Sequence, residues 1–99
     1  MIVIRNSFQL KFGKAREATA LLKEGVAIQK KAGAAYDFRI LTDMTGPFYT
    51  LVLEITTTSM GEFEAQAPGV MSDPAWQANY QKFSALVESG HREIFRVVE

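Results

Sequence analysis

Residues 2–10 alternate in character, with Ile2, Ile4, Phe8 and Leu10 on one parity and Arg5, Ser7 and Gln9 on the other. A period of two is that of a half-buried strand. Gly13 interrupts it. Between Lys14 and Ala32 the period lengthens, and Ala18, Leu21, Leu22, Gly25, Ile28 and Ala32 form a stripe at helical spacing that Gly33 is placed to cap. Alternation resumes in Tyr36, Phe38, Ile40 and Thr42 and again in Tyr49, Leu51, Leu53 and Ile55. With Thr45-Gly46-Pro47 between them as the turn, these two runs predict a hairpin. Ser59 followed by Glu62 has the form of a capping box, opening a short helix that Pro68-Gly69 should stop. Asp73-Pro74 opens another, which carries Trp76, Tyr80, Phe83 and Val87 on one face as far as Gly90, and Glu93 to Val98 alternates as a last strand.

The order βαββαβ predicts an α+β domain of the ferredoxin-like kind, a four-stranded antiparallel sheet with right-handed crossovers and both helices on one face. With no repeat or linker, residues 1–99 read as one domain, because two cores of half this length would be too small to outweigh chain entropy. Ile4 and Phe8, Phe38 and Ile40, Leu51 and Leu53, and Phe95 and Val97 are expected under the helices. The opposite parity gathers Arg5, Arg39, Leu41, Val52, Glu54, Ile94 and Arg96 on a mixed face. Its apolar members need a cover, and a second copy of the sheet would supply one, so these residues are the expected interface of a homodimer.

Composition narrows the classes. A hydrophobic share of 47%, with seven Phe and one Trp, excludes intrinsic disorder. Eleven basic residues balance eleven acidic ones, so no global field draws in nucleic acid or an anionic membrane, and neither is an expected partner. The absence of cysteine removes disulfides, thiolate metal sites and a Cys nucleophile. Arg5, Asn6 and Ser7 stand where a secretory signal needs its apolar run, and no segment has bilayer-spanning length, so a cytoplasmic location is expected.

No phosphate-cradling glycine motif, metal-ligand spacing or nucleophile elbow is present, and neither metal nor cofactor is expected. Asn6 is the one polar residue on the apolar parity of the first strand, a candidate catalytic and ligand-binding group, although a buried amide satisfying a neighbouring loop explains it too. His91, the one histidine, has the pKa a general base wants, yet just after Gly90 it also reads as a helix C-terminal cap. Trp76, Tyr80 and Phe83 have the makings of an aromatic pocket for a flat organic ligand, with the hydroxyls of Tyr36 and Tyr49 placed to join them; the same spacing also suits a plain core. Arg5, Arg39, Arg92 and Arg96 suit a carboxylate or phosphate, or, with Asp37, Asp43 and Glu54, ion pairs across the dimer interface. Gly25 inside the first helix costs about 1 kcal/mol against Ala, which a close approach of helix to sheet would explain.

The strand order, the restart Ser72-Asp73-Pro74-Ala75-Trp76 and the ending Gly90-His91-Arg92-Glu93-Ile94-Phe95 resemble the dimeric α/β-barrel superfamily, and within it NIPSNAP-like small proteins. The resemblance implies two sheets packed face to face, often with a pocket between each sheet and its helices. Members range from cofactor-free monooxygenases and heme-degrading enzymes to stress proteins, so fold alone does not fix activity. In the heme-degrading members an Asn on the first strand assists the chemistry, as Asn6 would, but a histidine on the second long helix holds the iron, where this chain has Tyr80. The expected function is a small-molecule-binding or stress-associated barrel protein without catalysis. The alternative is a cofactor-free monooxygenase acting on an electron-rich aromatic or polyketide-like substrate, positioned by Asn6, Trp76, Tyr80 and His91.

Overall fold

A computed structural model describes residues 1–99. The elements are β1 (Ile2–Leu10), α1 (Ala15–Lys31), β2 (Asp37–Thr42), β3 (Thr50–Thr57), α2 (Met60–Met71), α3 (Pro74–Ser84) and β4 (Val87–Arg96). The strands form one sheet in the order β2-β3-β1-β4, every neighbour antiparallel, which is the ferredoxin-like arrangement with its second helix in two pieces.

Local chemistry sets most of these boundaries. Gly33, at φ +96°, closes α1 in a Schellman turn, its N–H donating to Lys30 O and that of Ala34 to Gln29 O. The Ser59 hydroxyl accepts from the Glu62 N–H, and the Asp73 carboxylate accepts from the N–H groups of Ala75 and Trp76, so both expected N-caps are in place. Pro68-Gly69 does not stop α2, which runs one turn further to Met71. The residues after the proline still pair, Ser72 N–H with Pro68 O and Asp73 N–H with Val70 O, and Val70 is buried, so the last turn is held from outside the helix.

Larger differences lie at the C-terminal end. The final helix stops at Ser84 rather than at Gly90, and β4 begins at Val87 rather than at Glu93. Gly90 and His91 are therefore strand residues, opposite Phe8 and Ser7 of β1, not a helix terminus. A Cβ on Gly90 would come within 3.2 Å of both the Phe8 ring and Ser7 O, so the glycine makes room for Phe8.

Residues directly paired across antiparallel strands share a face. Ile4 is opposite Ile55 and Ile94, and Asn6 is opposite Leu53 and Arg92, so Ile94, Arg92 and Arg96 lie on the helix side. Phe95 pairs with Val3 and takes the open side with Arg5, Glu54, Arg39, Val52 and Leu41. The expected faces of β4 are thus inverted, and Ile94 and Arg96 do not belong with the open-face residues. β4 is an edge strand exposed over nearly its whole length, so its apolar pattern carries little information about burial.

The core is a single cluster in which Ile4, Leu10, Leu51, Leu53 and Ile55 from the sheet meet Ala18, Leu22 and Val26 of α1 and Phe83 of α3, with Tyr36 at one end. Gly25 marks the closest approach of two helices, not of helix and sheet: a Cβ there would sit 2.8 Å from Asn79 Oδ1 of α3.

Candidate functional site

Between the sheet and the helices lies a cavity of about 480 Å³. Its floor is the helix side of β1, β3 and β4, where Asn6, Phe8, Leu53, Ile55 and Arg92 point up. Leu22, Gly25 and Gln29 of α1 form one wall, Phe63, Ala67, Val70 and Met71 of α2 another, and Trp76, Asn79, Tyr80 and Phe83 of α3 close it, with Tyr36 at the end. The broken helix makes this space. α2 and α3 meet at the Ser72-Asp73 corner, so their aromatic residues converge from two directions instead of sealing one groove.

The aromatic groups are ordered by contact with one another. Trp76 stacks on Tyr80 at 5.1 Å and 17°, Phe83 meets Phe8 edge-on at 5.0 Å, and Tyr36 lies 5.5 Å from Phe63. The Tyr36 hydroxyl donates to Phe63 O, and burial, with the charge of Glu62 second, raises its pKa above the ordinary 10.0. Polar groups are few. Arg92 Nε donates to Asn6 Oδ1 at 2.7 Å, and the guanidinium lies 5.7 Å from the centre of the Phe63 ring. Asn79, 7% exposed, donates from Nδ2 to Leu21 O across the α1–α3 contact.

Five of the six residues expected at a ligand site, Asn6, Tyr36, Trp76, Tyr80 and Phe83, line this one cavity. Tyr49 does not. It stands in the β2–β3 connection at φ 60°, stacked edge-on against Phe12, beside a separate shallow depression between that connection and α1. His91 is on the opposite face of the sheet, 68% exposed, with Glu93 its nearest carboxylate at 3.7 Å, and cannot reach anything the cavity holds. Phe63 and Asn79 belong to the site without having been singled out for it, and Arg92, expected with Arg5, Arg39 and Arg96 as a carboxylate or phosphate binder or an interface residue, stands apart from Arg5 and Arg39 in this cavity. Asn79 had a signal, as the polar residue between Trp76 and Phe83 on an otherwise apolar face. The place of Arg92 on the helix side was hidden by the inverted parity of β4.

On the open face the chemistry is ionic. Glu54, 8% exposed, receives Arg5 at 3.0 Å and Arg39 at 3.1 Å, and Arg5 also covers the Phe95 ring at 5.2 Å. Of the four arginines, Arg5 and Arg39 are thus the partners of Glu54, and both pairs lie within one chain. No group of three or more His, Asp or Glu side chains is placed to hold a metal ion, and no helix is long and apolar enough to cross a membrane.

Fold and site together define an α+β protein with a helix-roofed, aromatic-lined cavity on one side of its sheet and a charged, half-apolar face on the other. No protein-family model and no curated protein matches the sequence. Among solved structures, an uncharacterized NIPSNAP domain protein from Burkholderia xenovorans superposes with a TM-score of 0.87 at 19% identity, over 99% of this chain and 95% of that one. A NIPSNAP family protein from Agrobacterium tumefaciens gives 0.87 at 23% identity, over 99% and 93%. An antibiotic biosynthesis monooxygenase gives 0.76 at 11% identity, over the whole of both chains. The chain has the fold of the NIPSNAP domain proteins, and at these identities the likeness is one of fold.

Proposed function

We propose that this chain is a cytoplasmic homodimer that binds a small organic molecule in the cavity between sheet and helices, without acting on it chemically. The observation that carries this reading is the cavity itself: apolar and aromatic walls around a few convergent polar groups, with a volume in the range of organic-ligand sites. Dimerisation is supported by the open face, where Leu41, Val52 and Phe95 share one side of the sheet with the buried Glu54 and want a cover. Trp76 is the only tryptophan and lines the cavity, so its emission reports occupancy. N-phenylnaphthylamine, a neutral apolar dye, should accept energy from Trp76 saturably in the native protein, and Ala67→Phe, which fills the cavity, should abolish the signal. A response that does not saturate, or that survives Ala67→Phe, contradicts the reading.

A second reading, cofactor-free oxygenation of an electron-rich aromatic, is favoured by Asn6, Trp76 and Tyr80 facing the same cavity. Oxygen uptake with a quinol substrate, lost in Asn6→Ala and in Trp76→Phe, would establish it. Uptake unchanged by both would dismiss it.

A further inference from the structure

We infer that the cavity selects an aromatic monocarboxylate, whose carboxylate is received by Arg92 with its guanidinium held in position by Asn6. This rests on the reading of the cavity as a ligand site and adds the chemical class of the ligand.

Arg92 is the only charged residue that lines the cavity, and no carboxylate of the protein pairs with it. Elsewhere on the sheet Arg5 and Arg39 share Glu54, and Arg96, which also pairs with no carboxylate, does not line the cavity. The neighbouring acid, Glu93, is on the other face of β4, opposite Arg5. The positive charge at the cavity is thus left without an anion by the protein itself.

Two contacts nevertheless orient this exposed side chain at the rim of the cavity. Nε is used in the 2.7 Å bond to Asn6 Oδ1, and the guanidinium lies near the Phe63 ring at 5.7 Å. Binding through Nε leaves the two terminal amino groups, the pair that grips a carboxylate with two parallel hydrogen bonds. The register explains why a polar residue stands on the apolar parity of β1, since Asn6 is directly opposite Arg92. A single guanidinium with no second cation matches a monoanion better than a phosphate dianion. The body of the ligand follows from the walls: the stacked Trp76–Tyr80 pair and Phe63 offer ring faces and edges suited to a flat aromatic.

The test compares 2-naphthoate with its neutral isostere 2-naphthamide, followed through Trp76 emission near neutral pH. The native protein should bind the acid at least about tenfold more tightly than the amide, a gap set by one charge-assisted contact. Arg92→Gln should erase that preference, the acid then binding no more tightly than the amide, and an unchanged thermal melting transition certifies that the variant is folded. Asn6→Ala should weaken the acid more than the amide, because the guanidinium stays charged but loses its anchor. If the amide and N-phenylnaphthylamine bind but the acid gains nothing, the inference is wrong and the cavity reading stands. If Arg92→Gln retains the preference for the acid, the anchor lies elsewhere and the inference is overturned. If none of the three compounds binds, inference and cavity reading fall together.

Discussion

Tyr36 shows how a residue's surroundings set its chemistry. Buried at the end of the cavity with its hydroxyl on Phe63 O, it holds its proton to a higher pH than the unfolded chain does, whose tyrosine titrates near 10.0. The raised value makes the contribution to stability complete below that ordinary value, and it is lost as pH rises through the folded one. Urea midpoints should therefore fall more steeply above pH 10.0 in the native protein than in Tyr36→Phe. That variant should itself be about 1 kcal/mol less stable near neutrality, for the lost hydrogen bond. Parallel slopes would show that burial does not perturb the hydroxyl. His91 illustrates the reverse: the only histidine is on the open face, away from the cavity, so added heme should give no stoichiometric Soret complex. A spectral shift saturating at one heme per chain would refute this.

At the scale of the element, the α1–α3 contact turns on two residues. Gly25→Ala would gain about 1 kcal/mol of helix propensity, yet its methyl would meet Asn79 Oδ1 and displace the amide from Leu21 O. Leaving a buried amide unpaired costs about 1 to 3 kcal/mol, so thermal melting should show net destabilisation. In an Asn79→Ala background the same change should stabilise. Equal signs in both backgrounds would mean that the amide is not what the glycine accommodates. Elements were legible wherever one face is buried: β1 and β3 alternate because one side meets α1 and α3, and the caps at Ser59 and Asp73 are written in the side chains that make them. The end of α3 was not, because Ala85-Leu86 carries no breaking residue, whereas Gly90, which does look like one, serves the Phe8 ring. The faces of β4 were hidden for the related reason that neither side of an edge strand is well covered. With them went the place of Arg92 at the cavity, while Asn6, on a covered strand, stood out.

In the whole molecule the two faces of the sheet carry separate tasks, and each can be tested against the other. If a partner sheet covers Glu54 with Arg5 and Arg39, Glu54→Ala strands two desolvated cations and costs about 3 to 5 kcal/mol. On an open surface the same change costs about 0 to 1. Sedimentation should accordingly find Glu54→Ala shifted toward monomer or unfolded, while Glu17→Ala, on the exposed side of α1, stays dimeric. Equal behaviour of the two would show that the open face is not the interface. The claim that this is a binding protein rests on the cavity, and the most direct measurement is calorimetric titration of the native protein and of Ala67→Phe with 2-naphthamide. One saturable site per chain is expected in the native protein and none in Ala67→Phe at an unchanged melting transition. Heats that do not saturate, or a site that persists when the cavity is filled, would contradict it.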